Sequence, residues 1–317
     1  MVASLHTAAE ILQELRLFLD SRPRKPLIVI LGPTASGKTA LSIRIAKQLR
    51  DGDLSAEIIN ADSRQLYRHL DIGTAKPSAQ EMKGIPHHLF SVLDPKEPCT
   101  IAWYQREALQ VIDEIHARKN IPLLVGGSML YVSSVIDGLQ PLPPSDPTLR
   151  KRLSDAYDLD GGEALHAKLT SVDPVSAAGI PRQNKAYVIR ALEIFESSGK
   201  PKSTQKRRDH CPYDLFIIGL SVPKAELDRR IVLRTEQMFD AGWAEEVRRL
   251  SALDYTSADP GMISTGYRDI IRALNDGTDP RLLTTDIAKQ TRQYAKRQMT
   301  WWRRDLRIRW ITILCND

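Results

Sequence analysis

The chain has 317 residues, of which 42% are hydrophobic and 26% are charged, and its net charge is +6. These proportions exclude the disordered, collagen-like and fibrous classes of protein. The length predicts one large domain with an insertion, or two domains.

The cysteines and the apolar segments indicate where the protein works. Cys99, Cys211 and Cys315 are far apart in the sequence, which argues against a disulfide framework or a zinc site and predicts a reducing, cytoplasmic compartment. No apolar run approaches the roughly 20 residues of a membrane span, so no membrane partner is expected. We also expect a monomer.

Residues 1–25 are predicted to form an N-terminal helical arm. Their apolar residues recur at helical spacing, and a basic segment followed by an uninterrupted apolar run, typical of a signal peptide, is missing. The spacing of Leu5, Leu12, Leu15 and Leu19 predicts a surface helix.

The next segments alternate between strands and helices. Short apolar runs at residues 27–31, 56–60 and 121–125 predict buried parallel strands, and a helix is predicted over residues 103–118. This alternation is typical of an α/β fold with a doubly wound parallel sheet.

A proline-rich stretch at residues 137–147 interrupts this alternation and marks a boundary. The chain that follows is polar, helical and poor in strands until a strand is predicted at residues 213–221. We therefore predict an α/β core formed by residues 26–140 and 212–317, with a helical insertion domain at residues 141–211.

Residues 32–39 fit the phosphate-loop pattern GxxxxGK[ST] and lie between a predicted strand and a predicted helix. Backbone N–H groups of such a loop and the helix N-terminus bind phosphate oxygens, the lysine adds a positive charge, and the threonine can ligate Mg²⁺. The motif predicts a core like that of the P-loop-containing nucleoside triphosphate hydrolases, binding a di- or triphosphate through Gly32, Pro33, Thr34, Ala35, Ser36, Gly37, Lys38 and Thr39.

In an ordinary P-loop nucleotide hydrolase, a later apolar strand ends in an Asp that helps to hold magnesium. This chain has no acid at that position. The strand at residues 121–125 ends in Gly126-Gly127-Ser128, and an acid, Asp62, follows the second strand instead. Because an open parallel sheet presents ligand-binding groups at the carboxyl ends of its strands, Asp62 and Ser128 are both expected to face the phosphate loop.

Positive charge is concentrated in residues 263–310, which contain eleven Lys or Arg and five Asp. This pattern is typical of a surface that binds a polyanion, and a solvated helix face is the alternative. Helical spacing places one set of residues towards phosphate (Lys289, Arg292, Lys296 and Arg303) and another set towards the core (Ile287, Ala295 and Trp302).

Five blocks of sequence, in order, resemble the bacterial-type tRNA dimethylallyltransferases, also called tRNA isopentenyltransferases. They are GPTASGKT, ADSRQLYRHLDIGTAKP, IPHHL, PLLVGGSMLYVSSVIDGL and TRQYAKRQMTWWRR. The resemblance implies transfer of a dimethylallyl group from dimethylallyl diphosphate to N6 of the adenine 3′-adjacent to the anticodon. The implied partner is the anticodon stem-loop of tRNA, and the implied cofactor is Mg²⁺, ligated by Thr39.

The resemblance also assigns roles to residues. It implies that Lys38 and its loop hold the prenyl diphosphate, that Asp62 engages the adenine amine as a general base, and that Ser128 lies beside the bridging oxygen. The positions that it places on tRNA are Asp62, Ser63, Arg64, Gln65, Arg150, Arg190, Ile263, Ser264, Thr265, Gly266, Tyr267, Arg268, Lys296, Arg297, Gln298, Met299, Thr300, Trp301, Trp302 and Arg303. Ser128 and the basic residues Lys289 and Arg292 complete the set of predicted tRNA residues.

Several alternatives stay open at this point. Asp62 has a second possible role in the coordination shell of magnesium, as in a kinase, and Trp301 and Trp302 also suit a core or rim position. His87 and His88 are interpreted as structural. The competing functions are an adenylate isopentenyltransferase, a P-loop small-molecule kinase and a non-enzymatic RNA-binding module.

Overall fold

Apolar segments rich in Ile, Leu and Val form a parallel sheet. The computed structural model of the chain describes residues 5–51, 54–138, 142–205 and 211–313. Within these ranges all strand pairings of the sheet are parallel, in the spatial order β1-β7-β6-β2-β5-β3-β4. The strands are β1 (Leu5–His6), β2 (Pro26–Leu31), β3 (Ala56–Ala61), β4 (His87–His88), β5 (Ile121–Gly126), β6 (Asp214–Ser221) and β7 (Ile308–Thr312).

Helices alternate with these strands and then dominate the second half of the chain. In order they are α1 (Ala8–Asp20), α2 (Lys38–Arg50), α3 (Ala79–Met82), α4 (Ile101–Ala117), α5 (Met129–Ile136), α6 (Pro147–Asp160), α7 (Glu163–Val172), α8 (Pro174–Gly179), α9 (Lys185–Ser198), α10 (Lys224–Asp240), α11 (Trp243–Ala252), α12 (Tyr267–Asn275) and α13 (Thr284–Trp302). Within the described ranges, no helix combines the length and the apolar character that a membrane crossing requires.

The chain forms two compact units, residues 1–136 with 211–317 and residues 137–210. The first unit contains the sheet. The second contains α6 to α9, which pack around their own apolar core that includes Leu153, Leu169, Val188 and Leu192. The predicted helical insertion runs from residue 141 to 211, and the second unit runs from 137 to 210.

The N-terminal arm differs from the predicted surface helix. Leu5 lies in β1, which pairs with β7 at the edge of the sheet, and α1 begins only at Ala8. Ile11 and Leu15 are 1% and 2% exposed and pack in the same core cluster as Phe216. The arm therefore belongs to the sheet unit, because its apolar face finds a partner on the sheet.

Replacing Ile11 with alanine is expected to lower the free energy of unfolding by roughly 2–5 kcal/mol, since a buried side chain is removed and a cavity is left. Leu17→Ala on the same helix is the matched control, because Leu17 is 63% exposed and its loss should change stability by about 0.5 kcal/mol or less. Urea unfolding of both variants measures the difference. Equal stabilities would show that α1 does not contribute to the core.

Candidate active site

The carboxyl ends of three neighbouring strands lie level at one edge of the sheet. In the register of the sheet, Leu31 of β2 and Ala61 of β3 both pair with Gly126 of β5. A side chain at position 126 has no room, since a Cβ there would lie 2.2 Å from backbone atoms of Ala61. The loops that follow the three strands therefore leave the sheet side by side, and they carry the residues that the motifs single out.

The phosphate loop adopts a compact conformation between β2 and α2. Ala35 and Gly37 have positive φ angles of 61° and 93°, which lets backbone groups turn towards one centre. The Lys38 ammonium donates to the carbonyl oxygens of Gly32 and Pro33, at 3.1 and 2.7 Å. The buried hydroxyl of Ser36 has no hydrogen-bond partner in the described part of the chain, so the loop keeps a free polar group for a ligand.

Burial, with a smaller contribution from the charge of Arg234, lowers the pKa of Lys38 to about 8, against the opposing effect of the Asp62 charge. The lysine is charged below this pKa and neutral above it. A diphosphate binds the charged form better, so its binding should weaken as the pH rises through about 8.

This effect gives a testable pH profile. With wild-type protein, kcat/KM for the diphosphate substrate should fall as the pH rises above about 8. Lys38→Arg should lack this fall, because a guanidinium remains charged throughout the range. Parallel profiles for the two proteins would contradict a role for the lysine charge.

Asp62 is held by its neighbours with one carboxylate oxygen left open. Asn60, which is 1% exposed, accepts from the Asp62 N–H at 2.8 Å and donates to the Asp62 carbonyl at 3.0 Å. The Arg64 N–H donates to Oδ1 of Asp62 at 2.9 Å. Within the described residues no donor bonds Oδ2, which is therefore available to accept a hydrogen bond from a ligand.

Two cavities meet at Asp62. The larger has a volume of about 970 Å³ and is lined by the phosphate loop, and the smaller, of about 350 Å³, is lined by residues that include Ile263, Thr265, Tyr294 and Arg297. The residues that line both are Thr34, Ala35, Asp62, Thr74 and Arg234. A ligand in each cavity would reach the same carboxylate from a different side.

Arg234 is a site residue that sequence reasoning missed. It lies on α10 and lines both cavities. Burial lowers the pKa of its guanidinium, while the charges of Asp62 and Glu81 oppose that shift. No motif surrounds this arginine, so only the packing of α10 on the site reveals it.

Ser128 is buried and already bonded. Its hydroxyl accepts from the Ser63 N–H at 2.8 Å. Burial and the charge of Asp62 raise the pKa of Tyr294 to about 12, against the opposing effect of the nearby Ser128 hydroxyl. Tyr294 was not among the predicted site residues.

The predicted tRNA residues divide into exposed and buried sets. The partly exposed ones are Asp62, Ser63, Arg64, Gln65, Arg190, Arg292 and Met299, and the exposed ones are Arg150, Ile263, Thr265, Arg268, Lys289, Lys296, Arg297, Thr300, Trp301 and Arg303. In the second unit, Arg150 and Arg190 both pair with the buried Glu193. Near Asp62, the Gln65 amide donates to the carbonyl oxygens of Thr74 and Ala75.

Besides Ser128, five predicted tRNA positions are buried and face away from solvent. They are Ser264, Gly266, Tyr267, Gln298 and Trp302. The Tyr267 hydroxyl donates to Glu246 at 2.6 Å, and the Ser264 hydroxyl donates to the Gly261 carbonyl. The cause is helix periodicity and local folding, which turn these residues inward while their neighbours face outward. Contact of these five with tRNA stays a prediction.

The two histidines have structural partners. His87 Nδ1 lies 2.7 Å from the Ile85 carbonyl oxygen, and His88 Nε2 lies 2.6 Å from a carboxylate oxygen of Glu57. Arg118 and Asn120 bond the same carboxylate, and these bonds hold the pKa of Glu57 at about 2, against the opposing effect of burial.

The side chains present suit a magnesium ion that arrives with a diphosphate. In the described part of the chain, no group of three or more His, Cys, Asp or Glu side chains could hold a metal. Thr39 and Asp62 line the larger cavity and offer oxygen ligands. This sparse oxygen set fits Mg²⁺, which keeps several waters and binds substrate phosphates with one or two protein ligands.

Comparisons with known proteins place the chain in a family. The family model described as IPP transferase matches residues 65–305, and a model described as isopentenyl transferase matches residues 25–91. The tRNA dimethylallyltransferase of Thermomicrobium roseum is 40% identical over 92% of this chain and 87% of its own length. That of Geobacter sulfurreducens is also 40% identical, over 92% and 93%.

Solved structures agree with this assignment. The tRNA isopentenylpyrophosphate transferase of Bacillus halodurans matches with a TM-score of 0.65 and 37% identity, over 91% of this chain and 90% of that one. A eukaryotic dimethylallyltransferase acting on tRNA matches with a TM-score of 0.72 and 28% identity, over 88% and 70%. The resemblance and the α/β fold predicted from the sequence are thereby confirmed, and the chain belongs to the IPP transferase family.

Proposed function

We propose that this chain transfers a dimethylallyl group from dimethylallyl diphosphate to N6 of the adenine 3′-adjacent to the anticodon in tRNA. The observation that carries the proposal is the position of Asp62 between a cavity lined by the phosphate loop and a second cavity. The similarity to tRNA dimethylallyltransferases supports the choice of both substrates.

The diphosphate belongs in the larger cavity. The Ser36 hydroxyl, the loop N–H groups and the N-terminus of α2 provide hydrogen bonds and a positive dipole end, and Lys38 and Arg234 provide positive charge. Magnesium, held by Thr39 and by phosphate oxygens, would neutralise the charge that develops on the leaving diphosphate. The Ser128 hydroxyl, which accepts from the Ser63 N–H, donates its hydrogen to the oxygen that leaves.

The adenine belongs in the smaller cavity, with its amine at Asp62. An exocyclic amine is a weak nucleophile because its lone pair is delocalised into the ring. The open Oδ2 of Asp62 accepts the amine proton while nitrogen bonds the allylic carbon and the carbon–oxygen bond to diphosphate breaks. General-base assistance of this kind contributes roughly 10²–10⁴-fold.

The outer face of α13 is proposed to bind the tRNA backbone. Lys289, Lys296 and Arg303 are exposed and Arg292 is partly exposed, and none of the four forms an ion pair within the described residues. Ile287, Ala295 and Trp302, at 2%, 2% and 1% exposure, form the buried face of the same segment. The segment therefore presents free cations on one side only.

Neutralising these four cations should weaken the salt dependence of tRNA binding. Each lost phosphate contact should reduce the slope of log affinity against log salt by about 0.7–0.9. Replacing Arg50 and Lys119, which are exposed on the same unit, is the control and should leave the slope unchanged. Binding titrations over a salt series measure it, and an unaltered slope in the four-site variant would mean that α13 is only a solvated surface.

The second candidate is transfer of the prenyl group to a free adenosine phosphate. The exposed cations of α13 favour tRNA, because a mononucleotide inside a cavity needs no such surface. Incubation with dimethylallyl diphosphate, magnesium and either bulk tRNA or AMP, followed by mass analysis of nucleosides, tests the choice. Prenylated adenosine from tRNA alone is expected, and preferential modification of AMP would overturn the proposal. The monomeric state and the cytoplasmic compartment stay predictions.

A further inference from the structure

Gln298 on α13 connects two of the loops that form the candidate active site. Its side chain is 1% exposed. Its Oε1 accepts from the Thr34 N–H of the phosphate loop at 3.0 Å, and its Nε2 donates to the Gly127 carbonyl at 2.9 Å. One amide therefore spans the space between the loop after β2 and the loop after β5.

The backbone at Gly127 leaves room for the Gln298 amide but not for a side chain of its own. A Cβ at position 127 would lie 2.2 Å from Nε2 of Gln298, so the second glycine of the Gly126-Gly127 pair permits the close approach. A carboxamide carries an acceptor oxygen and a donor nitrogen on the same carbon, and both form hydrogen bonds here. A shorter, apolar or ionised side chain cannot make both bonds.

The same face of α13 supports the site at a second point. Tyr294 lies one helical turn before Gln298, so the two side chains share a face. Tyr294 lines the smaller cavity, and its phenol interacts with the hydroxyl of Ser128, the residue after Gly127. The inner face of α13 thus fixes both the phosphate loop and the loop that carries Ser128.

We infer that Gln298 is a positioning residue for prenyl transfer, in addition to its place in the core. It sets the distance between the phosphate loop and the Gly127–Ser128 loop, and so the orientation of the diphosphate relative to Asp62. Because it accepts the hydrogen bond of the Thr34 N–H, it also determines which other loop N–H groups are available to phosphate. This inference rests on the proposed function.

Gln298→Glu distinguishes a positioning role for Gln298 from a purely structural role. A protonated carboxyl group can still accept from the Thr34 N–H and donate to the Gly127 carbonyl, whereas an ionised one cannot donate and brings a negative charge beside the diphosphate. The ratio of kcat/KM for the diphosphate, variant over wild type, should therefore rise as the pH falls. Dividing by the wild-type value removes the titration of Lys38 that the two proteins share.

Gln298→Leu removes both hydrogen bonds at similar volume. It should lower kcat/KM for the diphosphate by about 10-fold or more at every pH, because small misplacements of reacting groups are costly. Its tRNA affinity should stay within about twofold of wild type, since phosphate contacts supply most of that binding. Gln13→Glu, at an exposed position of α1, is the control and should show a flat ratio near one.

The outcomes separate the two hypotheses. If the wild-type protein forms no prenylated tRNA, the proposed function fails. If the wild type is active and the Gln298→Glu ratio is flat with pH, the positioning role fails alone. Should Gln298→Leu not fold, the Gln298→Glu profile still decides.

Discussion

Asp62→Asn is expected to slow prenyl transfer by about 10²-fold or more, because the amide keeps the shape of the side chain but cannot take a proton. The hydrogen bonds that place residue 62 involve Asn60 and the Arg64 N–H, and an amide oxygen can still accept the latter. Affinity for tRNA should change little, because phosphate contacts dominate binding. Single-turnover rates at saturating tRNA measure the chemical step.

A magnesium series distinguishes the two roles considered for Asp62. If the carboxylate is a general base, added magnesium leaves the rate of the asparagine variant low. If the carboxylate serves the magnesium shell instead, higher magnesium restores the rate. Full recovery would remove Asp62 from proton transfer and leave the activation of the amine without a group in this site.

Lys38→Ala is expected to lower kcat/KM for dimethylallyl diphosphate by about 10²-fold, the usual effect of removing a group that stabilises transition-state charge. The ammonium donates to two loop carbonyls, so it is held within the loop, from where it can turn towards phosphate. Binding of tRNA should stay nearly intact.

Lys119→Ala, at an exposed position after α4, is the matched control and should behave as wild type. Equilibrium binding of the diphosphate and of ATP, measured beside the kinetics, tests the ligand of the loop. Tight binding of ATP by the wild type together with phosphate release would assign the loop to a kinase or hydrolase.

The strands that build the site were predictable from the sequence, and the short edge strands were not. Runs of apolar residues identify β2, β3, β5 and β6, because a strand buried on both faces must be largely apolar. The two-residue strands β1 and β4 are too short for any periodicity. They form only because a neighbouring strand offers free backbone groups.

The residues of the candidate site also divide into those that a local sequence motif predicts and those that only the folded structure brings in. Lys38 and Asp62 stand in motifs directly after predicted strands, so sequence order alone locates them. Arg234 and Tyr294 reach the site from distant helices, which no local pattern reveals. Gln298 did leave a signal, because its spacing from Ala295 and Trp302 places it on the buried face of α13, although the basic residues around it suggest an outward role.

The most direct test of prenyl transfer to N6 compares two synthetic anticodon stem-loops that differ by one amine. One carries adenine 3′-adjacent to the anticodon, and the other carries purine, which lacks the N6 amine. With labelled dimethylallyl diphosphate and magnesium, we expect label on N6 of that adenine and none on the purine stem-loop. Equal labelling of the two RNAs would contradict it, since the nucleophile would then be a group other than the amine placed at Asp62.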